Sequence, residues 1–424
     1  MGQKIDIHAR KSAPESSMGG DLRGAGRLAV ETVTGLAGLV ETVHARLTGL
    51  PGTRSPPLGR TRGITALVYG AARGITHMVG GTVDTALTLL EPLLAKRSTK
   101  PGYEALLAAL NGVIGDWLEE RSNPLAINMR LRSDGTALRL EKAALASALP
   151  TASGRVVVLV HGLCMGDLQW TRHGADFGAA LARDLGVTPI HLHYNSGRHI
   201  STNGREFAVL MEALVRAWPV PLESIDLVTH SMGGLVARSA LHQAVQSGQE
   251  WPRRVGKLVF LGTPHHGAPL ERTGQRLNLL LSLSPYTEPF MRLGQVRSAG
   301  ITDLRFGNLL DSDWKGQDRF AFNADARTPV PLPAGIEAYA IGAVAGATDE
   351  LEQAQQVGDG LVPLDSALGR HPDPRFALPI PASHQWVALG TDHLALQTSP
   401  EVYRHVKAWL CERRPVARSA TTRV

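Results

Sequence analysis

The spacing of apolar residues changes character near Pro124. Before it the spacing is helical. From Arg23 to about Leu50, Leu28, Leu36, Leu39, Val43 and Leu47 recur mostly at steps that share a helix face. The stretch from Pro51 to Arg62, with Pro51, Pro56 and Pro57, predicts a loop. A second helical run follows through Ile64, Leu67, Val68, Ala71, Ile75, Met78, Val83, Leu87 and Leu90, in which Gly70 and Gly74 permit close approach to a neighbouring helix. The spacing of Leu106, Leu107, Leu110, Ile114 and Leu118 predicts a third helix over 103–120. Glu31, Glu41, His77, Asp84 and Glu91 interrupt the first two runs. A membrane span needs about 20 mainly apolar residues, so a packed bundle or an interfacial helix pair is expected instead.

After Pro124 the period shortens. Residues 126–132 alternate apolar and polar, Ser133-Asp-Gly-Thr reads as a turn, and Ala137-Leu-Arg-Leu alternates again, which predicts a β-hairpin. Arg155-Val-Val-Val-Leu-Val is a continuous apolar run, as in a strand buried on both faces of a parallel sheet. Strands are then expected near 189–194, 224–229, 257–261 and 335–342, and helices over 206–218, 235–245 and 400–412. This order implies an α/β domain with an open, mostly parallel sheet and helices on both faces. The expected division is a disordered tail over 1–22 and an N-terminal helical region over 23–122. An α/β domain over 123–412 carries an insertion at about 268–330, and a basic tail covers 413–424.

With 43% hydrophobic and 19% charged residues, the 424-residue chain is expected to fold around a large core. The net charge of +6 is concentrated in residues 1–150, where 18 Lys/Arg face 13 Asp/Glu, with no basic stripe that would suit nucleic acid. An anionic membrane surface is the better match for that excess. Two cysteines, Cys164 and Cys411, make no disulfide framework, and the first residues carry no apolar secretory core. The expectation is therefore cytoplasmic, with peripheral membrane attachment or self-association through the N-terminal helices as the roles open to that region.

The chemistry begins at Asp226-Leu-Val-Thr-His-Ser-Met-Gly-Gly-Leu. A buried strand expected to end at Thr229 leads through His230 and Ser231 straight into a helix, so the serine is lifted clear on a tight turn, and Gly233 and Gly234 let strand and helix cross closely. At Val158-Leu-Val-His-Gly-Leu, Gly162 frees the backbone to aim an amide beyond the strand end, while His161 suits a structural hydrogen-bonding role. Acyl transfer needs two amides for the oxyanion, and these are assigned to Leu163 and Met232.

With these pieces the sequence resembles the α/β-hydrolase superfamily, in particular bacterial lipases and esterases. Its Gly262-Thr-Pro-His-His-Gly element is similar to that of lipases and of glycosylphosphatidylinositol-deacylase-like hydrolases. The resemblance extends through Gly358-Asp-Gly-Leu-Val-Pro and Asp392-His-Leu, over about residues 125–412. It departs from the family at Thr229, where the usual pattern has glycine. The resemblance implies a catalytic triad of Ser231, Asp359 and His393. His371 and His384 compete for the role of base, and Asp349 and Asp365 for that of acid. It also implies that 268–330 caps the pocket, where Leu277, Leu279, Leu280, Leu281, Leu283, Phe290, Met291 and Leu293 suit a hydrophobic acyl chain.

His265 and His266 lack further ligands at zinc spacing, so no metal and no cofactor is expected. Cys164, without an activating partner, reads as pocket wall. The expected function is a serine hydrolase of hydrophobic carboxylic esters. An acyltransferase of the same fold and a catalytically silent lipid-binding or scaffold module are the alternatives.

Overall fold

The computed structural model describes residues 101–172, 175–268, 297–318, 325–346 and 358–412. The helices expected over 23–50 and 64–90, the apolar cap residues 277–293, Asp349 and the basic tail lie outside the described residues.

The described chain starts with α1 (Pro101–Glu120), then β1 (Arg130–Ser133), β2 (Thr136–Ala137) and the short α2 (Lys142–Ala148). After β3 (Arg155–Val160) come a small ribbon, β4 (Thr171–Arg172) and β5 (Ala175–Asp176), and α3 (Phe177–Leu185). Strands and helices then alternate through β6 (Thr188–His193), α4 (Ile200–Ala217), β7 (Ser224–His230), α5 (Met232–Gln246) and β8 (Val255–Leu261). Further on lie α6 (Ala299–Asp303), β9 (Glu337–Val344), α7 (Leu364–Ala367), β10 (Gln385–Leu389) and α8 (Pro400–Cys411).

Among the described residues the main sheet has eight strands in the order β10-β9-β8-β7-β3-β6-β1-β2. The six from β10 to β6 run parallel, and β1 and β2 close one side antiparallel. Successive side chains of a strand point to opposite faces. Val157, Leu159, Val228, Val259, Leu261, Tyr339 and Ile341 accordingly share one face, packed with Leu181 of α3 and with Val402, Val406 and Leu410 of α8. Their alternates Val156, Val158, Leu227, Leu258 and Phe260 are equally buried. Helix α5 packs against β7 and β3 and beside α4. With both faces covered, β3, β7 and β8 need apolar residues at nearly every position, which is the continuous-run pattern of the sequence. This is the α/β-hydrolase architecture.

The elements depart from the sequence expectation at several ends. The hairpin pairs only Arg132 with Ala137 and Ser133 with Thr136, while Ile127 and Met129 are buried outside the ladder. Helix α4 starts six residues before the expected Glu206. Its first turns hold the polar run Ser201-Thr-Asn-Gly, which reads as loop, but Asn203 Nδ2 donates to Asn195 O at 2.9 Å and tertiary packing keeps the run helical. Helix α1, grouped by sequence with the N-terminal region, packs on the loops above β3 and β6. Among the described residues, no helix is long and apolar enough to cross a membrane.

Candidate active site

Ser231 stands between the end of β7 and the first residue of α5, with φ 54° and ψ −129°. For a residue with a side chain this conformation is strained and persists only where its surroundings hold it. They do: Ser231 N–H donates to Leu261 O at 2.8 Å, and Gly234 N–H donates back to Ser231 O at 3.0 Å. The helix crosses the sheet so closely that a Cβ on Gly233 would lie 2.7 Å from Val160 O, and one on Gly234 would lie 2.9 Å from Phe260 Cδ1. Thr229, where the resembling pattern has glycine, is buried and donates Oγ1 to Val259 O at 3.1 Å.

The loop after β3 lies against this turn. A Cβ on Gly162 would be 2.9 Å from Ser231 Cβ, so the loop and the serine are in contact. His161 fixes the loop from below. Its Nδ1 bonds Gly162 O at 2.9 Å, and its Nε2 accepts Tyr194 N–H at 3.4 Å. Tyr194 stacks on the ring at 4.2 Å and donates its hydroxyl to His161 O. Complete burial lowers the His161 pKa to about 3, so the ring is neutral and structural. Leu163 and Met232, the residues assigned to the oxyanion, are both buried, and Met232 opens α5, where the first amides have no intrahelical acceptor.

Asp359 and His393, 34 positions apart, meet on the other side. His393 Nδ1 lies 2.6 Å from Asp359 Oδ2, with both side chains almost fully buried. Asp359 Oδ1 accepts the amides of Leu361 at 3.0 Å and Val362 at 2.8 Å, and His393 N–H reaches Asp359 O at 3.2 Å. Gly262, at φ 57°, ends β8 against this pair. His230, next to Ser231, joins the two halves: its Nε2 is 2.9 Å from His393 O. A serine on a tight turn, a carboxylate-bound imidazole and helix-terminal amides are a set that can carry acyl transfer.

The competing residues are engaged elsewhere. His384 stacks on Tyr339 at 4.1 Å and bonds Ala338 O, beside β9. His371 accepts Asp373 N–H. Asp365 is exposed and pairs with Arg370 at 3.6 Å.

Residues 151–330 match the model of the PGAP1-like alpha/beta domain. The match to this domain takes in the loop after β3, Ser231 and the Thr-Pro-His-His element, and it ends before Asp359 and His393. Among solved structures, the lipase BlEst2 of Bacillus licheniformis in mature form is 18% identical, with a TM-score of 0.39 over 61% of this chain and 91% of that one. Esterase Pf2001 of Pyrococcus furiosus is 15% identical, with 0.36 over 61% and 80%. The metagenomic carboxyl esterase MGS0156 is 17% identical, with 0.35 over 76% and 98%. Likenesses this distant assign no activity to this chain. No curated protein matches it.

Three features around the PGAP1-like segment have no sequence signature. The first lies beneath the Thr-Pro-His-His element. Arg238 of α5 sets Nη1 3.3 Å from His265 Nδ1 and donates Nη2 to Val330 O at 2.8 Å. Arg327 donates to His265 O at 2.8 Å and pairs with Asp325. Burial, with Arg327 beside it, lowers the Arg238 pKa to about 9, and burial with the same two cations holds His265 well below its usual range. His265 therefore braces the cationic pair as a neutral acceptor. The second is a tether under the loop after β3, where Asp167 binds His193 Nδ1 at 2.8 Å and Arg132 at 3.1 Å. Burial raises the Asp167 pKa, but His193 and Arg132 outweigh it and hold the carboxyl well below the usual range. The third is the contact between Gly112 and Cys164. Their partners lie far apart in the chain, and only packing brings them together.

Proposed function

We propose that this protein is a serine hydrolase of carboxylic esters carrying an apolar acyl or alkyl group. The observation that carries the reading is the junction of the strained Ser231 turn with the buried Asp359–His393 pair, bridged through His230. In this reading Ser231 Oγ attacks the ester carbonyl while His393 Nε2 takes its proton. The amides of Leu163 and Met232 receive the developing oxyanion, and Asp359 stabilises the imidazolium. Collapse of the tetrahedral species breaks the bond to the alcohol, which leaves with the proton from His393. Water, activated by the same imidazole, then releases the carboxylic acid from Ser231. The apolar preference is favoured by the leucine-rich sequence of the cap insertion and by the buried Leu163 and Met232, the chain neighbours of Gly162 and of the serine.

A series of chromogenic esters, short to long in the acyl chain, tests the reading with wild type and Ser231→Ala in parallel. Hydrolysis is expected from wild type and not from the variant, with fluorophosphonate labelling of wild type alone. A folded protein that neither hydrolyses any ester nor takes the label would overturn the proposal in favour of a silent binding module.

A further inference from the structure

We propose that Gly112 of α1 is a positioning residue for the oxyanion site, acting through Cys164. This rests on the ester-hydrolase reading above and assigns a part in it to a helix outside the matched segment 151–330.

Cys164 directly follows Leu163, and its φ is 58°. A residue with a side chain is disfavoured in this region, so the conformation needs outside support. The turn it makes sets the direction of the backbone through Leu163, whose amide is the proposed donor. Burial pushes the Cys164 thiol up to about 12, so it stays protonated beside the turn.

Two supports act on Cys164. Its own N–H donates to Ser196 Oγ at 3.0 Å. On the other side stands the backbone of Gly112. A Cβ on Gly112 would lie 2.7 Å from both Cα and N of Cys164, and nearer still to Sγ. Cα and N are backbone atoms of the turn itself, so any side chain at 112 displaces the turn rather than a flexible tip.

Helix α1 is anchored on both sides of this contact by side-chain hydrogen bonds. Asn111 donates to Leu125 O at 2.8 Å and accepts Ile127 N–H at 2.9 Å. Gly112 O accepts Ser298 Oγ–H at 2.6 Å, Gly115 O accepts Asn195 Nδ2–H at 2.9 Å, and Asp116 accepts Ala299 N–H at 2.9 Å. Ile114 leaves helical geometry at φ −135°, two residues past the contact. Oxyanion donors act only within a narrow distance range, about 2.7–3.1 Å from the oxygen, so a shift of a few tenths of an ångström at Cys164 is felt at Leu163.

The full-length protein is assayed as wild type, Gly112→Ala, Ser196→Ala and Gly112→Ala/Cys164→Gly, with melting curves for each. Gly112→Ala is expected to lower kcat by about 10–100-fold with KM within about twofold, less than the loss of a whole oxyanion donor. Inhibition by a trifluoromethyl ketone, which forms a tetrahedral oxyanion on the serine, should weaken by the same factor. Adding Cys164→Gly removes Sγ but keeps the contacts to Cα and N, so it should restore little of the kcat, and full recovery would assign the clash to the thiol alone and overturn the proposal. Ser196→Ala should show the same kcat signature at about 10-fold and keeps the test open if Gly112→Ala does not fold. Unchanged kcat in Gly112→Ala and Ser196→Ala, a rise in KM alone, or a loss that tracks only the folded fraction overturns the proposal. Turnover that survives Ser231→Ala would instead strike the hydrolase reading itself.

Discussion

Gly262 stands so close to Asp359 that a methyl group on it would lie 3.0 Å from the carboxylate Oδ2 and 3.2 Å from His393 Nδ1. The end of β8 thus forms the wall behind the carboxylate–imidazole pair. Gly262→Ala places a side chain at φ 57° and presses on both partners. It is expected to cost about 1–2 kcal/mol of stability and to lower kcat by roughly 10-fold or more through the displaced imidazole. Urea denaturation and ester turnover on the same preparation check both effects.

Asp359→Asn separates charge from shape. The asparagine oxygen can still accept the Leu361 and Val362 amides, so the loop is expected to hold. Its amide group then faces His393 Nδ1 and favours the tautomer with the proton on Nε2, which cannot accept from the serine. A fall in kcat on the order of 10³–10⁴-fold with an unchanged melting temperature is the expected result.

Replacing Thr229 with the glycine usual in such turns should weaken this protein. Thr229→Gly removes the bond to Val259 O and puts glycine into a buried strand. A loss of about 2 kcal/mol is expected from the missing hydrogen bond and the added chain entropy. The kcat should stay within about twofold of wild type. Chemical denaturation and steady-state kinetics decide it.

The central strands and the serine turn were legible in the sequence because burial on both sheet faces demands unbroken apolar runs. A serine between such a run and a helix has few other readings. The pairing of Asp359 with His393 was legible only through the resemblance, since an Asp-Gly turn by itself names no partner. The early start of α4 was not legible: Ser201, Asn203 and Gly204 look like loop residues until their buried contacts are known. Nor was the place of α1. Its spacing marks a helix, but Cys164, Asn195 and Ser298, which receive it, are separated from it by long stretches of chain.

Acid should unfold the protein partly through His161. Its pKa in the folded state, about 3, lies below the 6.5 of a free imidazole, so the unfolded chain binds more protons between those values. The stabilisation is full above about pH 6.5 and is lost as the pH falls toward 3, amounting to about 2 kcal/mol by pH 5. His266, also lowered to about 3 by burial and by Arg327, adds in the same sense. Asp167 enters only near and below its ordinary value of 3.8, and so does not contribute between pH 7 and pH 5. His161→Asn, which can keep the bond to Gly162 O, should show a shallower fall in melting temperature between pH 7 and pH 5. Equal slopes for variant and wild type would contradict this role.

The two amides on Asp359 Oδ1 leave only Oδ2 facing the imidazole. With one oxygen held by its own loop, the carboxylate has a single orientation to offer, and His393 must present an N–H to it from Nδ1. The lone pair of the ring is then left on Nε2, the nitrogen across the ring from the carboxylate. In the proposed reaction the imidazole would then need no change of tautomer before it takes a proton. Such a centre would be as competent toward a small, loosely held ester as toward a large one, and discrimination between them would fall to the walls around it.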